Sequence, residues 1–372
     1  MTATQGHPPA PGPVDAMSER TAVLDRDGLA RFQALRGDAV AAVTDRFYEE
    51  YPALYSRFGP AGRRACSQDL TFHLEFLGPV LEYGLLMPMV DYLCWLDGVL
   101  GARGIPTEHL GLSLDWLGAF YARAMAQEEG AVVAAALAGA RQAYLLARHE
   151  PQAPKSPPRW PEADACEDAL LAGDHAAALA ILQGCLERGD GLIDIELHVI
   201  QPALYSIGEK WQANQVSVAQ EHLATSIATS LMTAGLLTSH PRAPVERSVL
   251  LACVEGNNHA VGLRMVADAF QLAGWRVHYL GADVPTRALI AHAADSKPQL
   301  IGLSVSFPHQ LAAVTAVIQG LTDCFGAARP GVIVGGLAIN RYSHLADMLG
   351  ADAHCWDPAA ALVLAGKLGA TA

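Results

Sequence analysis

The sequence predicts a multi-domain chain of three folded segments: an all-α N-terminal segment, a four-helix bundle, and a C-terminal α/β segment built on a parallel sheet. Three observations predict it. Proline-rich breaks at about residues 148 to 164 and 238 to 248 divide the chain, and proline suits linkers because it fixes φ and lacks an N–H. In the first two segments apolar residues recur at three- and four-residue steps, the helical period. After the second break, short β-branched runs alternate with helical ones, the pattern of βαβ units.

The elements follow in order. Residues 1–18 lack the apolar core of a signal peptide and read as a disordered proline-rich tail. Residues 19–147 read as four to six helices, with Leu70, Phe72, Leu74, Leu77 and Leu81 near one face and Leu110, Leu114, Leu117 and Tyr121 near another. Residues 148–161 read as a linker. Residues 162–240 form the bundle: a helix pair with Gly173 and Gly189 as stops, then two longer amphipathic helices. Residues 248–372 begin SVLLACV, AVGLRMVADAFQLAG, WRVHYLG, TRALIAHAADS, QLIGLSV, HQLAAVTAVIQGLTDCF, GVIVGG. This is a flavodoxin-like order of strand and helix, in which ligands bind beyond the carboxyl ends of the strands.

The totals exclude several classes. The net charge is −13 and no basic run stands out, against a nucleic-acid surface. No apolar run reaches about 18 to 20 residues, so no transmembrane helix is expected. The seven cysteines form no CxxC pair, which excludes a zinc ribbon and a thioredoxin-type site. They fit reduced thiols in a cytoplasmic protein.

Chemistry-bearing residues sit just after the strands. The first strand is followed by Glu255, Gly256, Asn257, Asn258, His259 and, at Gly262, a helix start; the third by Ser304 and Ser306; the fourth by Gly335 and Gly336. Forty-one residues separate Gly262 from Ser304, and 28 separate Ser306 from Gly335. The arrangement resembles the cobalamin-binding signature DxHxxG, SxL, GG, over the whole last segment. The resemblance implies a base-off cobalamin with His259 as the lower cobalt ligand, a role a neutral imidazole suits. Gly262, Ser304, Ser306, Gly335 and Gly336 would then receive the nucleotide tail. Two positions depart from the pattern: Asn257 replaces the usual Asp, leaving Glu255 as an alternative partner for the imidazole, and SxS replaces SxL. Taken singly, His259 would be a loop histidine of an ordinary flavodoxin-like domain.

In the bundle, Trp211 is followed after nine residues by Glu221 and His222. This Wx9EH pattern resembles the helical cap of CarH- and LitR-like light sensors. It implies adenosylcobalamin, with Trp211, Glu221 and His222 around the adenosyl group. Gln212 stands where those sensors place a second histidine. The plain alternative is a core tryptophan beside a surface charged pair.

In the N-terminal segment, His73-Leu74, Val90-Asp91-Tyr92, Trp95-Leu96 and Arg103-Gly104-Ile105-Pro106 form a looser pattern similar to photocobilins, photoreceptors holding both cobalamin and biliverdin. It implies a bilin site with walls from Tyr83, Tyr92 and Trp95, His73 and Asp91 at the pyrrole nitrogens, and Arg63, Arg64 and Arg103 for the propionates. Cys66 and Cys94 are the thiols available. A core role for His73, Tyr92 and Trp95 stays open, as does a globin-like haem domain using His73 or His109.

The expectation is a cytoplasmic photoreceptor without enzymatic activity of its own, which binds adenosylcobalamin and biliverdin. Light would change its cap and its homo-oligomeric state, and its output would pass to an unknown protein partner. It would contact neither nucleic acid nor membrane. The alternatives are a corrinoid protein carrying methyl groups for a methyltransferase and a light-indifferent cobalamin-binding protein.

Overall fold

A computed structural model describes residues 22–148 and 158–368; the tail assigned to 1–18 and most of the 148–161 linker lie outside them. The chain divides into two compact units between residues 153 and 154.

The first unit is all-helical. Its helices are α1 (Arg26–Ala34), α2 (Arg36–Glu50), the single turn α3 (Pro52–Tyr55), α4 (Gly59–Tyr83), α5 (Leu86–Ala102), α6 (Thr107–Ala124) and α7 (Gln127–Ala147). Leu70, Leu74, Leu77 and Leu81 line the buried face of α4, whereas Phe72 is 36% exposed. Its step of two places it off the stripe that three- and four-residue steps define. Leu110, Leu114, Leu117 and Tyr121 of α6 are buried as their spacing predicts.

The second unit begins with the bundle. Helices α8 (Glu162–Ala172) and α9 (His175–Glu187) form the pair read from the sequence. The third helix runs as α10 (Leu192–Ile195), a π-helical segment (Glu196–Ile200) and α11 (Gln201–Gln212). Helix α12 (Val218–Thr238) starts at a capping box in which Ser217 and Gln220 satisfy each other's backbone N–H groups.

The α/β part follows as β1 (Ser248–Val254), α13 (Val261–Leu272), β2 (Arg276–Val284), α14 (Thr286–Ser296), β3 (Leu300–Ser304), α15 (Leu311–Phe325), β4 (Gly331–Gly335), α16 (Leu337–Arg341), α17 (Leu345–Leu349), β5 (Ala353–His354) and α18 (Pro358–Leu368). The five strands pair in the order β2-β1-β3-β4-β5, all parallel. This is the flavodoxin-like order, with its switch point between β1 and β3. All seven β1 residues are buried, as a central strand covered on both faces requires. Met265 of α13 packs into the core of the bundle, so bundle and α/β domain share apolar contacts.

Two helical runs among the described residues, Gln127–Ala147 and Pro308–Ala328, are long and apolar enough to cross a membrane by length and composition alone. Each has a packed face: Val133, Leu137, Ala140 and Tyr144 in the first, Leu311, Val314, Val317 and Leu321 in the second, are all buried. They read as core helices.

Candidate functional site

The carboxyl ends of β1, β3 and β4 open into a cavity of about 880 Å³ roofed by the bundle. Leu197, Leu204 and Tyr205 of the third bundle helix and Glu221, His222 and Thr225 of α12 form the roof. The floor is the loop around His259, with Ser304, Ser306, Gly335 and Gly336. The cavity continues down as an apolar slot past Leu251, Gly302 and Ile333, toward Phe270 of α13 and Ala361 of α18.

His259 is held by its backbone, and its ring stands open. Its N–H donates to Asn257 Oδ1 at 3.1 Å, and Asn257 Nδ2 donates to the Ser304 carbonyl at 2.9 Å. Asn257 is fully buried and thereby ties the β1 loop to the end of β3. Among the described residues no side chain bonds to the His259 ring nitrogens; the ring packs edge-on to Phe307 at 5.1 Å. Partial desolvation lowers its pKa, against the pull of Glu221 across the cavity, which favours the neutral, metal-binding imidazole.

Asn257 therefore orients the backbone, not the imidazole. Nor does Glu255 substitute: its Oε2 accepts the Thr286 N–H at the start of α14. Gly336 has φ +99°, and a Cβ there would lie 2.5 Å from the Val305 carbonyl oxygen. The glycine pair thus lets the β3 and β4 ends approach each other, before any ligand is considered. Gly262 lies in the lining, with open space where its Cβ would project. Burial pushes the Cys253 thiol beneath Ser304 up to about 11.

In the roof, Thr225 Oγ1 donates to Glu221 Oε1 at 3.0 Å, and the adjacent His222 Nδ1 bonds Glu221 Oε2. Trp211 departs from its expected place. It is half-buried against the bundle core and is not part of the cavity lining. Tyr205, six residues earlier on α11, supplies the aromatic group there and is 48% exposed. Sequence reasoning missed it, and also Leu197, Leu204 and Thr225, because helical residues at core spacing carry no mark of a cavity.

The donor set fits a corrinoid. A broad chamber holds one open imidazole at its floor, and a narrow apolar slot with serine hydroxyls at its mouth leads into the sheet. The volume lies in the range that buries a ligand, about 300–1,000 Å³.

The first unit has a separate cavity of about 150 Å³. Phe47, Tyr55, Phe58 and His109 help to wall it, together with Cys66, Asp69, His73 and Arg103. Of the expected bilin residues only His73 and Arg103 line it, with Cys66 as the thiol; Tyr83, Asp91, Tyr92 and Trp95 do not. His73 is buried with both nitrogens committed, Nδ1 to Tyr92 Oη at 2.9 Å and Nε2 to Ser113 Oγ at 3.0 Å. Tyr92 stacks on Phe76 with centroids 4.1 Å apart. His109 Nδ1 is bonded to Tyr55 Oη at 2.9 Å. Arg63 pairs with Asp45 at the surface. Burial pushes the Cys66 thiol up to about 11, which disfavours the thiolate a thioether would need. The cavity is smaller than the roughly 300 Å³ at which ligand pockets begin. As it stands it fits neither a linear tetrapyrrole nor a haem.

Comparisons with known proteins agree with this geometry. B12 binding domain families match residues 247–363 and residues 162–234. The chain is 29% identical over 233 residues to the HTH-type transcriptional repressor CarA of Myxococcus xanthus, covering 60% of this chain and 72% of the repressor. It is 31% identical over 147 residues to dimethylamine corrinoid protein 3 of Methanosarcina acetivorans, covering 38% and 68%. The monomethylamine corrinoid protein of Methanosarcina barkeri superposes with a TM-score of 0.46 at 21% identity, covering 54% and 94%.

Proposed function

The chain belongs to the B12-binding family of corrinoid proteins, and we propose that it is a cytoplasmic light sensor that binds adenosylcobalamin and has no enzymatic activity of its own. The observation that carries this reading is the roof: Tyr205, Glu221, His222 and Thr225 stand over the face of the cavity opposite His259. A methyl carrier must offer that face to a partner enzyme, whereas a sensor gains by enclosing it. When bound, adenosylcobalamin supplies a cobalt–carbon bond that visible light breaks.

The chain's own residues do the rest. His259 presents a neutral imidazole, positioned by Asn257. Ser304 and Ser306 face the cavity with hydroxyls suited to the nucleotide tail, and Leu251, Gly302 and Ile333 exclude water from it. Glu221, oriented by Thr225 and His222, would accept hydrogen bonds from the hydroxyls of a bound adenosyl group. Without those contacts Tyr205, Glu221, His222 and Thr225 would hold the roof less firmly, and it would be free to shift on the α/β domain. A changed surface alters the homo-oligomeric state, which hands the signal to a protein partner.

The test is green illumination of the dark-purified, adenosylcobalamin-loaded chain, read by absorbance and by elution volume. Both change if the reading holds. A spectral change with an unchanged elution volume removes the proposed output. Similarity to a methylamine corrinoid protein favours a second reading, a methyl carrier, which predicts tighter binding of methylcobalamin than of the adenosyl form. A light-indifferent binder predicts no difference between dark and lit protein beyond the photochemistry of the free cofactor.

The N-terminal resemblance makes biliverdin the ligand to test in the first unit, by absorbance after incubation with the purified chain.

A further inference from the structure

The seam between the bundle and the α/β domain holds a feature that cobalamin binding does not use. Glu196 opens the π-helical segment of the third bundle helix and is fully buried. Asp268 lies on α13 across the seam, 1% exposed. The two carboxyl groups face each other across the seam closely enough for each charge to act on the other. Arg264, one turn earlier on α13, donates from Nε to Asp268 Oδ1 at 2.7 Å. Asp268 Oδ2 and both Glu196 oxygens are left buried with no donor from the described residues. Ionised carboxylates only accept, so two that face each other in the dry interior form a bond only when one carries a proton.

The neighbouring groups do not remove this need. On α8, the buried Glu167 is paired with Lys210 of α11. His198, in the π-helical segment itself, is bonded to the Pro158 carbonyl. On β2, Tyr279 donates to the Ala260 carbonyl, and its ring lies 6.0 Å from the Arg264 guanidinium. Among the described residues, Arg264 is the cation that acts on the pair.

We propose that Glu196 and Asp268 share one proton at neutral pH, and that this bond latches the bundle helix to α13, so that losing the proton releases the roof. The Glu196 hydroxyl donates to Asp268 Oδ2, and the one remaining negative charge is balanced by Arg264. A second ionisation would leave an uncompensated charge in the seam, which opens to hydrate it. Burial, reinforced by the Asp268 charge, pushes Glu196 up to about 10. The π-helical segment is a suitable place for such a device, because an extra residue in a helical turn can be taken up by a shift of register. The latch rests on these side chains alone and is independent of the light-sensing reading.

The sign is fixed by linkage. Glu196 ionises at a higher pH when folded, so its contribution is complete below the ordinary carboxylate value of 4.5 and is lost as pH rises toward about 10. The experiment follows hydrogen exchange of residues 192–238 in the full chain between about pH 6 and pH 9, after correction for intrinsic rates, in wild type and Glu196→Gln. Glutamine supplies a donor that does not titrate. The opening equilibrium of the wild type should rise, relative to the variant, by up to about tenfold per pH unit. Wild type at pH 8 should also show the infrared band of a protonated, buried carboxyl group, absent from Glu196→Gln. Parallel pH slopes in the two proteins overturn the proposal, as does a wild-type spectrum without that band. Should Glu196→Gln fail to fold, Asp268→Asn and the wild-type infrared measurement decide the matter alone.

Discussion

His73 in the first unit and His259 in the second both come from motif-like stretches, yet the fold uses them in opposite ways. The His73 ring is buried with each nitrogen bonded, to Tyr92 and to Ser113. His259 has its backbone N–H pinned by Asn257 and its ring exposed toward a cavity of about 880 Å³. One histidine satisfies the interior. The other is positioned for something the chain itself does not supply. A ring with both nitrogens bonded, as in His73, has none left for a metal, whereas the His259 ring has.

The largest expected effects come from removing each ring. His73→Ala leaves Tyr92 and Ser113 without their buried partner and opens a cavity, at a cost of about 2–4 kcal/mol of stability. His259→Ala should change the stability of the cobalamin-free protein by less than about 0.5 kcal/mol, while abolishing the histidine-ligated cobalamin spectrum. Urea unfolding and absorbance titration check the pair. Equal destabilisation by the two substitutions would break the comparison.

A second prediction sharpens it through pH. Burial lowers His73 to about 4, so its contribution is present above the unfolded value of 6.5 and lost as pH falls toward 4. Asp69, which lines the same cavity, is raised by burial to about 6 and opposes this, since its contribution is lost as pH rises through that value. Near pH 5 the folded unit holds a proton on Asp69 and the unfolded chain holds one on His73. The two slopes cancel, and hydrogen exchange of α4 should report a stability nearly flat in that range. Asp69→Asn removes the compensation. Stability should then fall with falling pH by up to about 1.4 kcal/mol per unit between 6.5 and 4. A slope identical to that of the wild type would show that Asp69 does not offset His73.

The same contrast explains what could be read in advance. The strands β1 to β4, helices α13 to α15 and the loop residues after each strand were legible because β-branched runs and motif spacing are local signals. His259, Ser304, Ser306 and the glycine pair converge on one cavity, as that spacing predicts. The roof was legible only in part. Glu221 and His222 reach the cavity, but Trp211 packs on the bundle core, and nothing in its spacing separates a core tryptophan from a lining one. The π-helical segment was hidden because its sequence, ELHVI, has an ordinary helical pattern. In the first unit a cavity lined by Phe47, Tyr55 and Phe58 could not be told from core, since apolar periodicity reports burial and not the space beside it.

The smallest expected effect concerns Asn257, the departure from the family pattern. Its amide accepts from the His259 N–H and donates to the Ser304 carbonyl, two bonds of opposite sense. An ionised aspartate can make the first and not the second, and its carboxylate would face a carbonyl oxygen inside the protein. Asn257→Asp, which restores the common residue, should therefore cost about 1 kcal/mol in the cobalamin-free chain. The carboxylate must either take up a proton or turn toward the imidazole, whose basicity would then rise. If it turns, cobalamin binding tightens although the empty protein weakens, and calorimetry of binding beside urea unfolding separates the two. A variant more stable than wild type would mean that Asn257 is not the tie between the β1 and β3 ends, and that His259 owes its position to Phe307 instead.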